Sequence, residues 1–530
     1  MNGLQSWKGA SSRKIVLVEA PAVQLVLDDV PLNPVVLRYP KYAQLLLASN
    51  IAAETESIVV DMKGAAGSES RLEKQCYRSM IYEGRRLDFF RIGLPDSELF
   101  QMACGTGIVG FSCNFSMERA IVAHLIAELR SKSPATLIVV GGHDATVAPK
   151  PYLDAGADLC ISGEGETVID DILSTESMED LIKLRGISYS TSAGLKRTGK
   201  RPIHSLDRIR YPSARMLADY VYDEHPDGAW PAGVGTRFAV LETSRGCDEA
   251  CNFCSSTFVS GRFRRWSIEG ILRQLDETKR AGIRSLLIAD DNMLYRTLDA
   301  FDGNKGREDL IVLFNALRDE GFAWTFQNGI QFGLLERDGR IDEGLVSALF
   351  KNELRDGRRI GCFEVYLPLE RFEPGDILEL PKLKSPATQM SIVRSIAEQG
   401  VYRCNLGFII GTPSDSRESL SHAEEQAKRF DELIARSSSG RTKVQHLPWC
   451  SIPLPGTPNR SNYRCNIRYD LDHWPELHSN YISVIGNDEM NPIDFTIARH
   501  QLDLELNTSI APRRSLRVER QGAAHIAPSC

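Results

Sequence analysis

The chain of 530 residues has no excess of positive charge: 63 Lys and Arg against 70 Asp and Glu leave a formal net charge of −7. That balance gives no long-range attraction to phosphate backbones or anionic membranes, so nucleic acid is not an expected partner. The chain also lacks any uninterrupted apolar run near the ~20 residues of a spanning helix, and its start, MNGLQSWKGASSR, lacks the apolar core of a secretory signal. No membrane partner is expected, and the cytoplasm is the expected compartment. Clustered cysteines are scarce as well. Of 12, those at Cys76, Cys104, Cys113, Cys160, Cys362, Cys404, Cys450, Cys465 and Cys530 stand singly and read as small apolar side chains. The other three lie close together.

What is present is a folding composition, 42% hydrophobic with six tryptophans, in a chain too long for one ordinary core. From residue 14, β-branched runs alternate with helical stretches: KIVLVEA, a helix near 40–50, SIVVDM, GIVGFS, a helix from about Met117, TLIVVGG, DLCISG and a helix opening at Glu166. This rhythm predicts a doubly wound, Rossmann-like α/β domain over residues 1–180. A connector follows over 181–235. At FAVLETS the alternation restarts, with strands near SLLIAD, FEVYLPL and CNLGFII, predicting a partial or full (β/α) barrel over 236–460. Residues 461–530 form a polar and aromatic C-terminal extension without alternation.

The strand FAVLETS runs into Cys247-Asp248-Glu249-Ala250-Cys251-Asn252-Phe253-Cys254, a C-x3-C-x2-C loop at a strand's C-terminal end, where β/α folds place chemistry. Three thiolates can hold three irons of a cubane and leave the fourth iron open to a small chelating ligand. The same spacing also fits one helix face or a zinc site. Gly246 and the preceding strand favour a loop, and a structural zinc would need a fourth Cys or His that the segment lacks. Arg262, Arg264, Arg265 and Trp266 follow closely and read as a solvated basic loop, with carboxylate pairing as the alternative.

RGCDEACNFC resembles the signature of the radical S-adenosylmethionine (SAM) superfamily, which implies a [4Fe–4S] cluster on Cys247, Cys251 and Cys254, SAM chelated at the open iron, and a 5′-deoxyadenosyl radical as product of its cleavage. Phe253 takes the aromatic position before the third cysteine. Asp290, Asp291 and Asn292 resemble the polar turn that meets the SAM amino group, and Glu370 the carboxylate that contacts its ribose. Gly407 to Pro413, with Gly411, resembles the glycine strand whose small residues let backbone approach adenine, and Ile452 to Pro458 the P-x-P-G-T turn of cobalamin-dependent members. Upstream, Gly141-Gly142-His143 and Gly163-Glu164-Gly165-Glu166 resemble the GGPH and GEGE loops of cobalamin-binding domains, with Ser112 and Asn114 near the corrin's lower face.

The histidine motif D-x-H-x-x-G is absent after the first strand, and its apparent match at 223–228 follows the whole domain, so cobalamin is expected without histidine on cobalt. The resemblance implies a methyltransferase that places a methyl from methylcobalamin on an unactivated carbon of a small molecule, as in natural-product biosynthesis. An electron donor such as a flavodoxin or ferredoxin would serve the cluster. A cyclase or ring-rearranging enzyme with the same cofactors, or a non-catalytic cobalamin sensor, are the other readings.

Overall fold

The computed structural model describes residues 14–35, 41–53, 55–64, 71–199, 201, 205–219, 230–373, 375, 380 and 382–508. The apparent D-x-H-x-x-G match at 223–228 and Cys530 lie outside them. No helix among the described residues is long and apolar enough to cross a membrane.

Alternation of buried β-branched strands with helices produces a first sheet in which Lys14–Glu19 lies between Glu56–Asp61 and Ile108–Ser112, followed outward by Leu137–Gly141 and Leu159–Ile161, all parallel. In chain order these five strands are 2-1-3-4-5, so the winding reverses between Lys14–Glu19 and Ile108–Ser112. A crevice opens at such a switch point, beyond the strands' carboxyl ends. GISYS and GLKR, in the stretch read as connector, extend this sheet as the antiparallel strands Ile187–Thr191 and Gly194–Arg197. Between the second and third parallel strands the chain forms part of an unforeseen four-stranded antiparallel sheet, Val30–Pro31, Ala22–Leu27, Arg85–Gly93 and Glu73–Tyr82. Its long hairpin turns at Glu83 and Gly84, both with positive φ, as a tight two-residue turn requires.

The second sheet has six parallel strands in sequential order: Phe238–Leu241, Ser285–Ile288, Ala323–Phe326, Arg358–Glu370, Arg403–Ile410 and Lys443–Cys450. The first and last do not pair with each other, so the barrel is partial. The first three strands are buried throughout, as parallel strands covered by helices should be. The covering helices begin with side-chain caps: Ser267, Ser385 and Ser416 each accept a backbone N–H of the first turn.

The C-terminal extension packs against both sheets. Leu471, Leu477, Ile482, Val484 and Ile485 enter the core beside the antiparallel sheet, while Phe495, on the helix Pro492–Leu506, packs with Phe408 and Ile410 of the barrel.

Candidate functional site

The carboxyl ends of the two sheets face each other across a cavity of about 860 Å³. From the first sheet it is lined by Ser112, Asn114, Gly141, Gly142, His143, Gly163, Glu164, Gly165 and Glu166, and from the second by Cys247, Cys251, Phe253, Cys254, Asp291, Asn292 and Glu370. Asp290 and Gly411 are not among the lining residues.

The cysteine loop is pinned at several points. Gly246 has φ +81°, and a β-carbon there would collide with the carbonyl oxygens of Gly261 and Arg262, so only glycine fits. Its N–H donates to Asp291 Oδ2 at 2.7 Å. Asp290, which the resemblance sends toward SAM, instead turns under the loop and accepts from the Thr243 N–H (2.7 Å), the Thr243 hydroxyl and the Ser244 hydroxyl (2.6 Å). Burial pushes its carboxyl up to about 7, against those hydrogen bonds. Asp290 is therefore a brace of the loop.

The three thiols are half-buried. Burial raises Cys247, and pushes Cys251 up to about 12 despite nearby Lys382, which disfavours free thiolates. The Cys254 sulfur accepts the Ser256 N–H at 3.4 Å, and the Tyr295 hydroxyl stands 3.7 Å from the Cys247 sulfur. Among the described residues no group of three or more His, Cys, Asp or Glu could hold a single metal ion. A cubane imposes a different demand, since each of its cysteines binds a different iron, and three soft sulfur donors on one loop suit that demand.

Asn292 lines the cavity. The residue is 3% exposed, and its Oδ1 has no hydrogen-bond partner among the described residues. The orientation follows from its neighbours: Glu249 can only accept, so Gln331 donates to it (2.8 Å), and Asn292 Nδ2 donates to the remaining Gln331 oxygen (2.5 Å). An unfilled acceptor is thus left beside the cavity, which suits an ammonium donor. Glu370, at φ +62°, accepts from Lys382 Nζ at 2.5 Å, and that ammonium also lies 5.3 Å from the Phe253 ring centroid.

The glycine strand departs from expectation. The space that a β-carbon at Gly407 would take is filled by the Tyr366 hydroxyl, and Gly411 faces Ser483 and Phe495, so both glycines accommodate protein side chains and leave no open surface. The P-x-P-G-T turn contributes Ile452 and Leu454 to the cavity, meets Val147 at Gly456, and donates from the Asn459 N–H to Asn252 O (3.0 Å) in the cysteine loop.

On the first sheet's side, among the described residues, Gly141 has no atom within 4 Å of an added β-carbon, and Gly163 has only the Val259 carbonyl at 3.8 Å. These bare strand ends leave room for a flat ligand. Burial lowers the His143 imidazole below its usual range, with Asp291 opposing, so it is neutral at pH 7. Glu164 and Glu166 are engaged by Arg245 and Arg264, which flank the cysteine loop. Of the residues read as a solvated basic loop only Arg262 is exposed as that reading would have it, and it too lies 3.3 Å from a carboxylate, Asp248; Arg264 pairs with Glu164, Arg265 with Asp302, and Trp266 is buried. Sequence reasoning missed Gln331 and Lys382, each a lone polar residue without a motif. Arg245, Arg264 and the two glutamates were visible in motifs, but their pairing was not.

No protein-family model matches the chain. An uncharacterized methyltransferase of Pyrococcus horikoshii is 27% identical over 322 residues, covering 58% of this chain and 61% of that protein. Cytidylyl-2-hydroxyethylphosphonate methyltransferase of Streptomyces wedmorensis is 27% identical over 376 residues, 65% of each. The chain thus spans under two thirds of these relatives' own length. Among solved structures, the radical SAM methyltransferase TsrM of Kitasatospora setae, with cobalamin and a [4Fe–4S] cluster bound, superposes with a TM-score of 0.60 at 14% identity, covering 97% of this chain and 93% of that one. The class that the structure defines is a two-domain α/β architecture, a doubly wound domain facing a partial parallel barrel. The likeness is one of fold: this chain and TsrM share the arrangement over nearly their whole lengths.

Proposed function

We propose that this protein is a cobalamin-dependent radical SAM methyltransferase that methylates an unactivated carbon of a small molecule, such as a natural-product intermediate. The observation that carries this reading is that the C-x3-C-x2-C loop and the glycine-walled switch-point crevice open into one cavity. The relatives named as methyltransferases, and TsrM described with tryptophan substrate and a SAM analogue, support it.

In this reading Cys247, Cys251 and Cys254 hold a [4Fe–4S] cluster. Asn292 Oδ1 accepts from the SAM ammonium, while Glu370, held by Lys382, and Phe253 border the nucleoside. Gly141, Gly142, Gly163 and Gly165, with Ser112, Asn114 and His143, form the cobalamin wall. When bound, cluster and SAM supply a carbon-centred radical oxidant, and cobalamin supplies a methyl group. The chain's own part is to bind, orient and exclude water: Asp291 and Asp290 fix the cysteine loop, and the turn at Ile452–Pro458 closes the cavity over it. We further propose residues 1–180 and 236–460 as the cobalamin and SAM units, a cytoplasmic setting, and a flavodoxin or ferredoxin as electron source.

The test is product analysis under strong reduction with candidate small molecules. The expected result is 5′-deoxyadenosine, S-adenosylhomocysteine and a product heavier by one CH2 in comparable amounts. Deoxyadenosine with a rearranged, unmethylated product would replace this reading by the cyclase. Neither nucleoside with any substrate would favour a non-catalytic cobalamin protein.

A further inference from the structure

The segment that carries the cysteines leaves and returns through a two-stranded ribbon, Ser244–Arg245 against Arg264–Arg265, in which Arg245 and Arg264 stand directly opposite each other. Like charges in that position repel, and Arg245 is 8% exposed, so water does little to screen it. Two of the three neutralising carboxylates, Glu164 and Glu166, come from the loop that follows the first sheet's strand Leu159–Ile161. Glu164 takes Arg264 in a bidentate pair, 2.9 Å to Nη1 and 2.6 Å to Nη2, and lies 3.4 Å from Arg245 Nη1. Arg245 completes its shell with Glu166 at 2.8 Å and Glu242 at 2.8 Å. Burial alone would raise the Glu164 carboxyl, but Arg264 and Arg245 outweigh it and hold it below its usual range. Of the three carboxylates, Glu164 is the one that meets both arginines at the neck of the cysteine loop.

We propose that Glu164 is a positioning residue that couples the two cofactor sites. Its neighbours Gly163 and Gly165 line the crevice wall, and its carboxylate grips the residue two places before Cys247 and the ribbon partner of that residue. Ordering the cysteine loop around a cluster fixes Arg245 and Arg264, which fixes the 163–166 loop and so preforms the wall. Linkage makes the effect reciprocal: each cofactor tightens the other. This inference rests on the cofactor assignment proposed above. It also reassigns the Glu164 carboxylate from cofactor contact to the joint between the sheets.

The test is hydroxocobalamin affinity, by equilibrium dialysis, of full-length protein with the cluster reconstituted anaerobically and without it. Wild type should bind at least about five-fold more tightly when the cluster is present, within the usual range of such couplings. In Glu164→Gln that ratio should fall below about two. Arg264→Gln, which leaves Glu164 paired with Arg245, tests the same neck if the first variant fails to fold, and should lower the ratio too. Equal affinity of both wild-type forms would overturn the coupling, as would a ratio unchanged in the variants. Absence of hydroxocobalamin binding to either form would overturn the cofactor assignment as well, which separates the two failures.

Discussion

Asn292 and Asp290 sit two residues apart and serve opposite purposes. Asn292 presents an unpaired acceptor to the cavity, and a hydrogen bond from a cation to such a buried oxygen contributes about 1.5–3 kcal/mol. Asn292→Ala should weaken SAM binding to cluster-loaded protein by about ten-fold or more in equilibrium dialysis; unchanged affinity would refute the assignment. Asp290 is occupied by Thr243 and Ser244, and its folded-state titration near 7 lies above the ordinary 3.8. Between those values the folded state holds the proton and the unfolded state has lost it, so the Asp290 contribution to stability falls as pH rises to about 7 and is level above it. Asp290→Asn removes that dependence. The melting-temperature advantage of wild type over Asp290→Asn should shrink from pH 4.5 to 7 and then hold constant; an advantage that grows with pH would contradict the buried brace. The sequence marks the whole turn as polar but does not tell which residue faces inward, because that depends on backbone torsions at a strand end.

At the scale of elements, the C-terminal extension is part of the first domain's core. Its buried apolar residues, Leu471, Leu477, Ile482, Val484 and Ile485, are unevenly spaced and follow neither a helical nor a strand period throughout, which is why periodicity left the segment's role open. Glu476 meets Arg78 on the long hairpin at 3.4 Å, and that guanidinium stacks 3.7 Å from the Trp474 ring. The hairpin escaped notice because residues 73–82 present mostly exposed polar side chains, which weakens the apolar half of a strand's alternation. Leu477 is fully buried, so Leu477→Ala should destabilise the protein by about 2–5 kcal/mol, read as a lower denaturation midpoint. A shift under about 0.5 kcal/mol would mean that the extension is not part of that core.

For the molecule as a whole, the two βα rhythms and the cysteine spacing were legible because parallel strands are short, apolar and regularly spaced, and because Cys247, Cys251 and Cys254 stand together in a chain whose other cysteines stand singly. How the sheets face each other was not legible. That arrangement is set by pairs such as Glu164 with Arg264, separated by 100 residues, and no local pattern encodes them. In the proposed function, cluster and cobalamin share one cavity built from both sheets. Electron paramagnetic resonance on full-length protein holding cob(II)alamin and a reduced cluster tests this directly, because two unpaired spins in one cavity perturb each other. The account predicts a cob(II)alamin signal that broadens or relaxes faster when the cluster is reduced, and returns to its isolated form in the Cys247→Ala, Cys251→Ala, Cys254→Ala triple variant. A cob(II)alamin signal indifferent to the state of a fully loaded cluster would contradict it.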